Sequence, residues 1–124
     1  MWIPNGNQTN TNLINQVETV KWSIDITEAH ILRCREDLAE ATQEIKNLKN
    51  SIDYLKYFAI IINAREYKRM RHYLAGRLGD EIVIRQRLAA NERSKEILER
   101  DLQLLNRKLA ANSFKLLEMK PRGK

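Results

Sequence analysis

From Val17 to Ile62 a seam residue returns at spacings that alternate between three and four: Val17, Val20, Ile24, Thr27, Ile31, Cys34, Leu38, Ala41, Ile45, Leu48, Ile52, Leu55, Ala59 and Ile62. Thr27 alone among these fourteen is polar. A single amphipathic helix lying on a globular core follows the 3.6-residue turn and drifts away from a strict 3.5-residue repeat. A row kept in step for more than six heptads therefore specifies a helix packed lengthwise on another helix, a coiled coil. With Val17 at position a, the a residues are mostly β-branched, which favours two parallel strands. The small d residues Thr27, Cys34 and Ala41 instead allow the close approach of an antiparallel or four-helix arrangement, and both readings stand at this point.

Nothing between Pro4 and Pro121 forbids helix, because those are the only prolines. Within that span the glycines are Gly6, Gly76 and Gly79. The stretch YLAGRLGDE, residues 73 to 81, thus reads as a stop and restart: Gly79 takes a left-handed cap, Asp80 caps the next helix, and Glu81 favours its positive end. The predicted turn is near 76–80. A turn at 63–66 would give two arms of nearly equal length, but Ala64, Arg65 and Glu66 are good helix formers. One continuous helix would carry both glycines at roughly 1 kcal/mol each relative to alanine.

Downstream of Ile62 the row changes phase by one residue inside NAREY and continues through Tyr67, Met70, Leu74, Ile84, Leu88, Leu98, Leu102, Leu105, Leu109 and Leu116, with Asn91 and Lys95 as polar interruptions. Folding back at 76–80 would bring Phe58 and Ile61 near Ile97 and Leu98, Leu74 near Ile82, and the C-terminal apolar cluster Leu104, Phe114, Leu116 and Leu117 near residues 38 to 45. The hairpin packing set is Phe58, Ile61, Leu74, Ile84, Leu88, Leu98, Leu102, Leu105 and Leu109. The widened apolar face YFAIII at 57–62 suits a helix that touches two partners. The other seam, Val17, Val20, Ile24, Ile31, Leu38, Ile45, Leu48, Ile52, Leu55 and Ile62, is expected to join subunits. The expected fold is all-α: a long antiparallel helical hairpin over residues 13–118, assembling into a dimer with a four-helix region. A flexible polar lead over 1–12, capped at Thr11 or Asn12, and a flexible basic tail over 119–124 flank it.

Charge divides unevenly along the chain. Residues 1 to 62 hold six Lys or Arg against eight Asp or Glu, net −2, and residues 63 to 124 hold sixteen against eight, net +8. Arg65, Lys68, Arg69, Arg71 and Arg77 fall together, and Arg65, Lys68, Arg69 and His72 share one helical face. Such a face can contact phosphates, with Tyr67 and Tyr73 as stacking groups, or it is a solvated coiled-coil surface. His30 and Cys34 are four apart, yet two ligands do not make a zinc site. No metal, no cofactor and no catalytic residue is expected, since phosphate loops, nucleophile elbows and metallohydrolase motifs are all missing. A secretory signal is not expected of the uncharged start MWIPNGNQTNTN, and the longest apolar run is six residues, far below a membrane span. A single cysteine fits a reducing compartment, so the expected location is intracellular, cytoplasmic.

These features point to a structural or adaptor protein, a non-enzymatic scaffold that forms a homo-oligomer, with a dimer favoured, and engages another protein. The alternative from a different class is a nucleic-acid-binding or packaging accessory protein using the basic face. Peripheral contact with an anionic membrane ranks below it.

Overall fold

The computed structural model describes residues 6–58 and 64–118, with side chains from Asn10 to Lys56 and from Ala64 to Ser113. Two helices make up these residues, α1 (Gly6–Phe58) and α2 (Ala64–Glu118), with no strand among them. Both runs are rich in Leu, Ala, Glu, Arg, Lys and Gln, which lose little side-chain freedom in a helix. Threonine, which is poorer at this, is accommodated through its hydroxyl. Thr19 Oγ1 donates to the carbonyl of Asn15 at 2.9 Å and Thr27 Oγ1 to that of Ser23 at 2.8 Å.

The helices pack against each other in two compact units, one formed by the described residues of Met1–Glu28 and Glu92–Lys124, the other by Ala29–Asn91. In the second unit Glu44 meets Arg77, Thr42 meets Glu81 and Cys34 meets Asn91. As the number on α1 falls the number on α2 rises, so the helices run antiparallel. In the first unit Glu28 meets Lys95, and Gln16 and Val20 line a cleft with Asp101, Leu104 and Leu105. The direction is again antiparallel.

Every described member of the Val17–Ile62 row is buried or half-buried, and so is every third-and-fourth residue of α2 from Tyr67 to Asn112. The most deeply covered side chains are Leu13, Val17, Ile24, Ile31, Ala41 and Ile45, all from α1, and no described polar side chain is buried. This cover comes from within the chain. The seam expected to join subunits is therefore the face that α1 turns to α2.

The turn expected near 76–80 is not there. Gly76, Gly79 and Asp80 lie inside α2, neither glycine takes a positive φ, and α1 stops at Phe58 before α2 begins at Ala64. The energetic reason is continuity. Two helical glycines cost roughly 1 kcal/mol each, whereas a break at 76–80 would forfeit backbone hydrogen bonds and the row that runs in step through Leu74, Arg77, Glu81 and Ile84. The pairing changes with the turn. Ile97 and Leu98, expected near Phe58 and Ile61, and Leu104, expected near residues 38 to 45, all belong instead to the unit that holds the residues up to Glu28. Leu74 and Ile82 are neighbours along one helix, Leu74 half-buried and Ile82 exposed. The side chains of Phe58, Ile61, Ile62, Phe114, Leu116 and Leu117 lie outside the described residues.

The start of α1 also differs from expectation. Thr11 and Asn12, read as caps, are inside the helix, which begins at Gly6. Leu13 explains the extension: it stands four residues before Val17 in the same row and is only 9% exposed, so its burial carries the packed face one step upstream. The basic tail at 119–124 lies outside the described residues.

Candidate interaction surface

Four polar side chains, Arg77, Glu81, Asn91 and Lys95, occupy α2's inward row, of which the sequence reading named only Asn91 and Lys95 as interruptions. Arg77 is the most engaged of them. Its Nε lies 2.7 Å from Glu44 Oε2, without the alignment of a hydrogen bond, and its NH1 donates to Asp80 Oδ2 at 2.9 Å. The hydrogen bond to Asp80 is the main cause that raises the Arg77 pKa above the ordinary arginine value, assisted by Glu44 and opposed by desolvation. One turn on, Glu81 Oε2 accepts from Thr42 Oγ1 at 3.4 Å while Oε1 lies 3.7 Å from Arg85 Nε. Asn91 Nδ2 donates to the Arg87 carbonyl at 3.0 Å and sits 3.8 Å from Cys34 Sγ. In the other unit Lys95 Nζ is 3.4 Å from Glu28 Oε1. Polar residues in such a row can fix the register of two helices at some cost in stability.

This geometry divides the predicted basic face. Arg77 is turned inward, only 22% exposed, and committed to two carboxylates. Arg65, Lys68, Arg69 and Arg71 are exposed in the first turns of α2. Arg69 makes a long 3.9 Å contact to Glu66, and the Arg71 guanidinium lies 5.7 Å from the Tyr67 ring centroid, within cation–π range. Tyr73 is more than half exposed.

A second surface was missed by the sequence reading. On α2, outside the half-buried row, an uncharged residue recurs every seventh position: Gly76, Val83, Ala90, Ile97, Leu104 and Ala111, all exposed, although Val83 and Leu104 also reach the rims of clefts shared with α1. Val83 is 44% exposed, Ile97 56% and Leu104 53%. Between residues 75 and 90 the outward face widens to Ala75, Gly76, Gly79, Ile82, Val83, Gln86, Ala89 and Ala90, with no charge at any of these positions. In a chain that is 31% charged, eight outward-facing positions in succession without a charge make an unusual surface. A Cβ added at Gly76 or Gly79 would meet nothing within 4 Å. Neither glycine is required by packing inside the chain.

His30 and Cys34 gather no further ligand: among the described residues no group of three His, Cys, Asp or Glu side chains could hold a metal ion. No helix among them is long and apolar enough to cross a membrane. The clefts along the helix pair are open, one lined by Asp37, Glu40, Arg77, Asp80, Val83, Ile84 and Arg87, another by Asn50, Ser51, Tyr54, Leu55 and Met70. No protein-family model matches the chain, and no curated protein or solved structure matches it either.

Proposed function

We propose that the chain is a structural or adaptor coiled-coil protein that self-associates and serves protein–protein interaction. The observation that carries this reading is the second row on α2. The half-buried row is already covered by α1, yet Val83, Ile97 and Leu104 recur at heptad spacing outside that row and remain about half exposed. A helix with apolar rows on two faces is built to touch two neighbours. The thin internal core supports the same conclusion, since among the described residues the side chains buried below a tenth come from α1 and small helical scaffolds gain stability by association. Sedimentation equilibrium over a wide concentration range tests the proposal: oligomers with micromolar or tighter association are expected, and a strictly monomeric chain at high micromolar concentration would remove it.

A second reading keeps one specific observation in its favour, the four exposed cations Arg65, Lys68, Arg69 and Arg71 within two turns of one helix. A nucleic-acid contact there predicts steeply salt-dependent retention of DNA or RNA, because phosphate neutralisation releases counterions. Neutralising these four should abolish retention; retention unchanged by that substitution excludes the face as the contact.

A further inference from the structure

Resting on the self-association reading, we infer that α2 pairs with α2 of a second copy, antiparallel, across the uncharged outer face between residues 75 and 90. Three features on one stretch of helix lead to this occupant.

The first is where charge stops and starts. The next outward residues beyond the stretch are His72 on one side and Arg93 on the other, so the face has definite ends and its middle carries Ile82, 58% exposed, and Val83.

The second feature is the pair of glycines. Both are helical, both have open space where a side chain would stand, and neither adopts a backbone conformation reserved for glycine. Within the chain they only weaken α2. Against another helix they let two backbones approach closely, as small residues do at tight helix crossings.

Self-complementarity is the third. A two-fold axis passing beside Val83 sets Gly76 opposite Ala90 of the other copy. The same operation sets Asp80 against Arg87, and by symmetry it does so twice, on one flank of the contact. Asp80 uses Oδ2 for Arg77; the contact to the second copy would use Oδ1. On the opposite flank Leu78 meets Ala89. An antiparallel pair brings like flanks together in this way, and residue i on one copy meets residue j on the other while j meets i, as an isologous interface requires. Parallel pairing in register would instead lay Arg65, Lys68, Arg69 and Arg71 beside their own copies, with like charges a few ångströms apart. The charge pattern therefore selects the antiparallel arrangement, and it selects this chain as its own partner.

The test uses the full chain. Sedimentation velocity of wild type, Val83→Glu and a Val83→Cys variant in a Cys34→Ser background is compared with far-UV circular dichroism of each. Val83 is 44% exposed at the rim of the cleft that Asp37 and Glu40 of α1 also line, so helicity should survive Val83→Cys, and any helicity lost on Val83→Glu reports repulsion from those two carboxylates within the chain. Val83→Glu should weaken the dimer by about tenfold or more, because a carboxylate at the centre of the contact loses its water without gaining a partner. Val83→Cys should oxidise to an interchain disulfide that is absent under reducing conditions. Should the wild type associate while Val83→Glu leaves its mass distribution unchanged, the α2 face is not the interface and the inference falls, with self-association intact. A monomeric wild type removes both. If Val83→Glu lowers helicity together with mass, the disulfide decides: formation supports the contact, and no interchain product overturns it.

Discussion

Replacing Gly76 and Gly79 together by alanine separates an unbroken α2 from a chain that turns at these residues, and the two give opposite signs. In the structure both positions are interior to α2, exposed, free of positive φ and open at Cβ. Alanine adds no clash and reduces the freedom of the unfolded chain, for about 0.8–1 kcal/mol at each site. The sites are three residues apart and share no side-chain partner, so the effects add to about 1.5–2 kcal/mol. At roughly 4 °C per kcal/mol for a chain of this size, the melting temperature should rise by roughly 6–8 °C. Thermal melts by far-UV circular dichroism at the lowest workable concentration read this out with association suppressed. A left-handed glycine cap at either position would instead make alanine cost about 1–2 kcal/mol and lower the melt. A fall, or no change, would refute the continuous helix. Raising the concentration adds a second reading: if helices of two copies approach at these glycines, the added methyl groups wedge them apart, and the gain should shrink as the wild type associates.

Ile45→Ala removes a side chain only 6% exposed and should cost about 2–4 kcal/mol by denaturant titration, whereas Trp22→Ala, at a site 66% exposed, should stay within about 0.5 kcal/mol. Arg77→Met should lower stability at low ionic strength, with a deficit that narrows in molar salt, because the pairs to Glu44 and Asp80 are partly open to solvent. The sign of its pH dependence follows from the raised Arg77 pKa: that contribution is complete below the unfolded value and is lost only as pH climbs past an already high folded value. The wild-type advantage over Arg77→Met should accordingly stay level between about pH 8 and 10, and an advantage that disappears within that window in urea titrations would contradict the assignment.

The inward row of α1 was legible residue by residue, since a strict heptad repeat leaves one face to bury. Helix α2 was harder because Arg77, Glu81, Asn91 and Lys95 stand where apolar residues were sought. Their aliphatic stems or neutral amide fit a half-covered row, and three of the four find a polar group on α1 through their ends. Restoring them shows that Tyr67, Met70, Leu74, Arg77, Glu81, Ile84 and Leu88 keep one phase straight through the glycines. The phase slips only between Ile62 and Tyr67, and the two described helices part between Phe58 and Ala64. Glycine chemistry outweighed phase in the sequence reading, although two helical glycines cost far less than a broken row. That choice also hid the outer surface: residues 75 to 90 straddle the supposed turn and share a face only when α2 is continuous. The exposed basic residues were placed on one helix correctly by spacing, but the inward orientation of Arg77 depends on Glu44, thirty-three positions away in the chain, and no local pattern shows it.

The antiparallel pairing of α1 with an uninterrupted α2 is tested most directly by introducing Asn91→Cys beside the native Cys34. The two side chains meet across the helix pair, with Asn91 Nδ2 3.8 Å from Cys34 Sγ. Treatment with a short bifunctional thiol-alkylating reagent, such as a bis-maleimide, followed by peptide mapping should give a cross-link between residues 34 and 91 within a chain of monomer mass. A turn at 76–80 would carry position 91 roughly 45 Å along the helix from Cys34. Failure to link 34 to 91, with both thiols shown to be reactive, would contradict the fold described here.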